Sequence, residues 1–248
     1  MPYRTGRTSV RLSVAAAASP PNISVLASEA ENTYTRFMGS TRTRRWGAGK
    51  AAAVRRLYEA REPVTQVELA GVAGVSQPAV SQYLASLRRS GDAVFENPGW
   101  LPVREQLPST YGSCYSSRFA DQALWYRIDD VSSQVGDLVG QDPDVVVSGD
   151  VAADRVRPWR VPSVAVVYGG LDEQVMDELG FVPADSLAAA SIVVRPVPDD
   201  HFRAQAHRVD GLLLAPWLHL VADLLGLGGG DRADAAARFA DLGTTTPT

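Results

Sequence analysis

Apolar residues recur at helical spacing through the first part of this chain and gather into short runs in the later part. Ala51, Val54, Leu57 and Tyr58 fall on one side of a helix predicted over 48–61, and Glu62-Pro63 stops it. Val64 and Leu69, then Val80, Leu84 and Leu87, mark two further helices that meet near Gly74 and end at Ser90-Gly91. Ala93-Val94-Phe95 and Trp100-Leu101-Pro102-Val103 read as strands around an Asn97-Pro98-Gly99 turn. Residues 104–117 are polar and turn-rich, which predicts a linker. Phe119, Leu124, Ile128, Val131, Val135 and Leu138 then predict a connecting helix up to residue 140. Beyond Asp142-Pro143-Asp144 the texture changes. Strand-like runs at Val145–Val147, Val161–Val167, Ser191–Val197 and Gly211–Leu214 are interspersed with helical segments at Asp150–Arg157 and Leu171–Leu179. A further helix follows from Pro216 to Leu227. Gly228-Gly229-Gly230 breaks that helix, and Asp231 caps a last one through Leu242.

The predicted class is therefore mixed α+β. It comprises an arm over 1–47, a three-helix and hairpin domain over 48–103, a linker with connecting helix over 104–140, an α/β domain over 141–242 and a tail over 243–248. The arm mixes Arg, Ser, Thr, Ala and Pro without sustained period, as a disordered segment does. Its short alanine-weighted stretch Leu12–Ala18 is too weak for an export signal, and Met38 offers a second translation start.

The middle helix pair carries detailed local signals. Thr65 with Glu68 three residues on forms a capping-box pattern, and Val64 and Leu69 form the hydrophobic staple. Gly74 suits a tight corner because it tolerates positive φ, Ser76 is an N-cap candidate, and Pro78 is harmless in a first turn. The face opposite the Val80–Leu84–Leu87 stripe presents Gln77, Ser81 and Gln82, with Ser76 and Pro78 at the tip. This pattern resembles the helix-turn-helix of DNA-binding regulators, and with the hairpin it resembles a winged helix-turn-helix. That resemblance makes Ser76, Gln77, Pro78, Ser81 and Gln82 the base-reading candidates, since Gln can pair with adenine and Ser suits several base edges. Candidate phosphate contacts are Arg42, Arg44, Arg45, Lys50, Arg55, Arg88 and Arg89. The hairpin carries Glu96 and no basic residue, so a contribution from it to DNA binding is not expected.

Charge sharpens this picture. Residues 1–105 hold 14 Lys and Arg against 8 Asp and Glu, and the remaining residues hold 10 against 20. A basic front beside an acidic back is the distribution expected of a nucleic-acid-binding module joined to a different domain. Cys114 is the single cysteine among 248 residues, which excludes an internal disulfide and a cysteine-cluster metal site. No apolar run reaches the roughly 20 residues of a membrane span. A cytoplasmic location, without membrane association, is the expectation.

In the later half, Ser148-Gly149, Ala152-Ala153, Ala215-Pro216-Trp217-Leu218, Asp223-Leu224-Leu225, Gly228–Gly230 and Ala235-Ala236-Ala237 together resemble the AbiEi family, antitoxins of type IV toxin–antitoxin systems. The resemblance covers residues 48–242. It implies an N-terminal winged helix and a C-terminal α/β domain. It also implies a repressor of its own promoter, with a nucleotidyltransferase-like toxin as partner and no enzymatic activity.

Enzyme readings find little in the residues. A strand followed by Ser148-Gly149 is similar to the opening of nucleotidyltransferase domains. Those enzymes need neighbouring carboxylates for paired metals, and Ser163–Tyr168 carries no Asp-x-Asp. Asp142 and Asp144 fit a turn, and Asp199-Asp200-His201 with His207 lacks a metal-ligand spacing. No phosphate loop or nucleophile elbow is present. The alternatives are a ligand-sensing regulator, with Trp125, Tyr126, Trp159, Trp217 and His219 as candidate pocket residues, and, behind it, a degenerate nucleotidyltransferase-like protein. The sequence thus predicts a DNA-binding transcriptional regulator without cofactor or metal. Its partners would be operator DNA, a cognate toxin and a second copy on an inverted repeat.

Overall fold

The computed structural model describes residues 46–115 and 122–240. Residues 1–45 of the arm, with the Met38 start, Arg42, Arg44 and Arg45, and the tail lie outside the described residues, whereas Trp46, expected in the arm, is buried in the core edge-on to Tyr111.

Three helices open the described chain: α1 (Ala48–Tyr58), α2 (Gln66–Ala73) and α3 (Gln77–Ser90). Thr65 caps α2 through its hydroxyl, which accepts from the Glu68 amide at 3.2 Å. Glu68 does not complete a capping box, because its carboxylate turns to Arg56 on α1. Gly74, at φ 60°, makes the corner between α2 and α3 in the left-handed conformation that glycine tolerates. Ser76 has the extended backbone of an N-cap, but its side chain makes no cap hydrogen bond. Val80, Leu84 and Leu87 are buried as one stripe. A hairpin of β1 (Ala93–Glu96) and β2 (Gly99–Pro102) follows.

The expected linker contains a helix, α4 (Leu107–Tyr115). Its cause is a stripe at i, i+4 and i+7: Leu107, Tyr111 and Cys114 are all buried. The expected connecting helix is split. Ala123–Tyr126 is a strand, β3, and α5 (Val131–Gln141) begins only after Asp130, whose carboxylate accepts from the Ser133 amide at 2.9 Å. Leu124 and Ile128 fit helical spacing, but pairing of β3 with two neighbouring strands overrides that local pattern.

The remaining elements are β4 (Val146–Ser148), α6 (Gly149–Val156), β5 (Ala165–Tyr168), α7 (Glu173–Glu178), β6 (Val182–Pro183), β7 (Ile192–Arg195), β8 (His207–Val209), β9 (Leu212–Leu214), α8 (Trp217–Leu227) and α9 (Gly230–Ala240). β5 starts later than expected because Pro158 and Pro162 punctuate the preceding loop, where Val161 is exposed. Asp231 lies within the first turn of α9 rather than at its cap, and approaches Arg160 at 3.4 Å.

Strands β3–β9 form one sheet in the order β6-β3-β7-β5-β4-β9-β8. The β5–β7 and β4–β9 pairs are parallel, and the other four are antiparallel. Alternation explains its two buried faces. Val147, Val167 and Val194 join the core that contains the helices, while Val146, Val166 and Val193 join a second cluster closed by Phe202. The first core runs without interruption from Trp46 to Phe239, so residues expected to form two domains share one apolar interior.

Candidate nucleic-acid interface and the buried network behind it

The outer face of α3 follows directly from its period. With Val80, Leu84 and Leu87 turned inward, Ser76, Gln77, Pro78, Ser81 and Gln82 are all exposed, as are Arg88 and Arg89 in its last turn and a half. No side-chain hydrogen bond among the described residues engages Ser76, Gln77, Ser81, Gln82, Arg88 or Arg89. Lys50 on α1 is half-buried, its ammonium 4.1 Å from the centroid of the Trp46 indole. On the hairpin, Glu96 is exposed beside Val94 and Phe95, which are 42% and 51% exposed.

Arg55 corrects the list of phosphate contacts. It falls on the inward stripe of α1, between Ala51 and Tyr58, and is fully buried. Its Nη2 and Nη1 donate to Asp199 Oδ1 and Oδ2 at 2.7 and 2.9 Å, a paired geometry that neutralises the guanidinium. Arg55 Nε donates to Gln205 Oε1 at 2.6 Å, and Gln205 Nε2 donates in turn to the Ala52 carbonyl at 2.9 Å. Arg55 cannot meet a phosphate in this position.

From Arg55 a hydrogen-bond chain enters the core. Arg55 Nη1 donates to the Tyr111 hydroxyl at 3.2 Å, and Tyr111 lies 2.9 Å from His219 Nδ1. His219 Nε2 lies 2.7 Å from the Tyr168 hydroxyl, which donates to Asp223 at 2.9 Å. Asp223 also accepts from Ser148 Oγ at 2.6 Å and from Arg195 Nη1 at 2.7 Å. Donor counting fixes the polarity. Tyr168 spends its proton on Asp223, so His219 donates through Nε2, and Tyr111 donates to a bare Nδ1. Burial pushes the His219 pKa down to about 4, which keeps this imidazole neutral. Burial and the Asp223 carboxylate together raise the Tyr168 pKa well above its ordinary value, so the phenol retains its proton. The network is sealed, since the side chains of Arg195 and Asp223 are 7% and 1% exposed.

A second ionic cluster surrounds Asp150 at the start of α6. Arg232 donates from Nε and Nη2 at 2.8 and 2.9 Å, and Arg160 Nη2 donates at 2.7 Å. Burial would raise this carboxyl, but the two guanidiniums hold it at about 2. Near it, Asp154, Pro158, Trp159, Arg160, Val161 and Pro162 line an open depression of about 500 Å3.

The other acidic and histidine residues weighed in the sequence take separate structural roles. Asp199 faces Arg55, His207 stacks on Trp217 at 4.0 Å and bonds Glu59 at 2.9 Å, and the His201 amide donates to Asp199 Oδ1 at 3.1 Å. Asp142 accepts from the Asp144 amide at 3.0 Å, a turn role. Among the aromatic pocket candidates, Trp125 and Trp217 are core, His219 belongs to the network, Tyr126 is exposed, and only Trp159 borders the depression. No group of three or more His, Cys, Asp or Glu among the described residues could hold a metal ion. No helix there is long and apolar enough to cross a membrane.

Comparison with known proteins adds nothing to this geometry. The chain matches no family model, no curated protein and no solved structure.

The sequence reading missed Asp199, Tyr111, Arg195 and Asp223 as one network. Signals were present: Arg55 occupies a stripe position of α1, and Asp223 is the single charge in the otherwise apolar helix Trp217–Leu227. A charge on an apolar stripe needs a buried partner.

Proposed function

We propose that this chain is a sequence-specific DNA-binding regulator in which residues 48–103 act as a winged helix-turn-helix and α3 is the recognition helix. The observation that carries the reading is the outer face of α3. Its N-terminal half exposes Ser76, Gln77, Pro78, Ser81 and Gln82, none of which is needed to hold the fold through a side-chain bond, and Arg88 and Arg89 follow. Two short polar side chains and two amides on a helix N-terminus suit the major groove, and flanking arginines suit phosphates. The antitoxin-like reading, an autorepressor with a cognate toxin and a second copy on an inverted repeat, has a narrower support. Segments that carry the family resemblance meet in the fold, for Ser148 bonds Asp223, and Ala152, Ala153, Ala235 and Ala236 share one core.

The test is a salt-titrated gel shift on the chain's own upstream promoter against scrambled DNA of equal length. Specific, salt-sensitive binding is expected. Gln77→Ala or Gln82→Ala should cost about 1–3 kcal/mol and relax sequence preference. Arg88→Ala should weaken all sequences alike and reduce the salt slope by about one. Equal weakening of every sequence by both kinds of variant would sink the recognition-helix assignment. A ligand-sensing regulator is the second reading. It draws on the depression beside Trp159, whose buried Nε1 has no hydrogen-bond partner. A thermal shift with metabolites, lost in Trp159→Ala, would favour it.

A further inference from the structure

Residues 196–206, between β7 and β8, touch the front helices at separate points. Asp199 holds Arg55 in the middle of α1 through two hydrogen bonds with side chains 0% and 2% exposed. Gln205 ties the same guanidinium to the Ala52 carbonyl, one turn earlier. His201 reaches the corner between α2 and α3, where a Cβ on Gly74 would lie 3.6 Å from its imidazole carbon. Phe202, between them, is fully buried against Tyr168 and His219, with ring centroids 5.0 and 4.7 Å away. The segment is thus anchored on the sheet by Phe202 and grips α1 through Asp199 and Gln205, with His201 beside the α2–α3 corner.

We propose that this segment positions the recognition helix, with Asp199 acting through Arg55 and His201 acting through the corner at Gly74. This deepens the DNA-binding reading and rests on it: the α/β region would set the angle at which α3 is offered to the groove. A paired guanidinium–carboxylate fixes direction as well as distance, unlike an apolar contact that can slide. The corner is the point of greatest leverage. A change of backbone angle there moves every base-reading side chain from Ser76 onward together, and a small misplacement of a contact group removes a paired base contact. Neither Asp199, Gln205 nor His201 needs to touch DNA to do this.

Two readouts separate the inference from the reading beneath it. The first is hydrogen exchange of the α2 and α3 amides in free protein, which requires no DNA. His201→Ala and Gln205→Ala should speed exchange over residues 66–90 by about ten-fold relative to α5, because the helices packed beside the gripped α1 open locally while the sheet stays closed. The pair Arg55→Met with Asp199→Leu removes both charges together, so neither is left buried and unpaired, and the directional grip is lost. The same ten-fold increase is expected there. The second readout is the ratio of specific to scrambled DNA binding, expected to fall about ten-fold in each variant with an unchanged salt slope. Unchanged exchange in all three variants overturns the positioning role, whatever DNA does. Faster exchange with an unchanged binding ratio also overturns it, since the grip would then serve stability alone. Absence of specific binding by the unaltered protein refutes the DNA-binding reading itself, while the exchange result still reports on the grip.

Discussion

Arg55 and Arg56 are neighbours in the sequence, yet they belong to two different regions of the molecule. Arg55 points into the seam between α1 and the sheet, where Asp199 holds it with almost no access to water. Arg56 points across the outer surface of the helices to Glu68, with side chains 33% and 44% exposed. One helical step of about 100° separates the two environments. In the seam, a charge left without its partner carries the full penalty of desolvation. On the surface, water replaces the partner at little cost. The comparison teaches that the same ion-pair chemistry is a constraint in one region and an ornament of solvation in the other.

The strongest way to break this comparison is to remove a charge at the far end of the buried network that Arg55 enters from the seam. Asp223→Ala would leave Arg195, Tyr168 and Ser148 without their shared acceptor. A loss of about 3–5 kcal/mol is expected from urea unfolding. A loss below 1 kcal/mol would show that water enters the network, and the seam would then resemble the surface.

Acid should weaken the seam next. His219 titrates near 4 in the folded chain against an ordinary value of 6.5. Above 6.5 it is neutral in both states and the full stability is present. As pH falls from 6.5 to 4, the unfolded chain gains a proton that the folded chain refuses, so stability declines by up to about 3 kcal/mol. Structurally, a proton on Nδ1 would set donor against donor at Tyr111 and interrupt the chain from Arg55 to Asp223. Unfolding free energies at a series of pH values should show this slope in the natural chain and lose it in His219→Gln. A slope equal in both would assign the acid response to other groups.

The two regions also differ in how far the sequence discloses them. Around α2 and α3 the signals are local: Thr65 caps through the Glu68 amide, Gly74 takes positive φ, and the Val80–Leu84–Leu87 stripe is buried as spaced. The exposure of Gln77, Ser81 and Gln82 follows from that stripe. The seam joins residues more than a hundred positions apart, such as Arg55 with Asp199, and no local period encodes such a pairing. Strand β8 was nonetheless within reach. Asp210-Gly211, at φ 46° and 83°, is the Asp-Gly hairpin turn that joins β8 to β9, and the dipeptide itself signals it. Helix α4 was also signalled, by Leu107, Tyr111 and Cys114 at helical spacing, but its polar intervening residues masked the stripe. Strand β3 offered no such cue, because its Leu124 and Trp125 fit a helix equally well until β7 pairs with them.

A smaller effect tests the surface through its caps. Thr65→Ala removes a real cap bond and should cost about 1 kcal/mol. Ser76→Ala removes a hydroxyl that caps nothing, so urea unfolding should leave stability nearly unchanged. Equal losses would mean that Ser76 caps α3 in solution and is not spare for a ligand.

The smallest expected effect belongs to Arg56 and Glu68. A double-mutant cycle with Arg56→Ala and Glu68→Ala isolates their coupling from each side chain's own helix propensity. The expected coupling is about 0.5 kcal/mol or less at low salt, fading as ionic strength rises, because both groups keep much of their hydration when apart. The matching cycle on Arg55 and Asp199 should give a coupling several times larger and nearly indifferent to salt, since ions cannot screen a pair that water does not reach. Comparable couplings in the two cycles would remove the distinction between seam and surface. A large difference would mean that the turn of α1 between Arg55 and Arg56 decides which charge holds the molecule together and which remains available to the solvent side, where α3 presents its polar face.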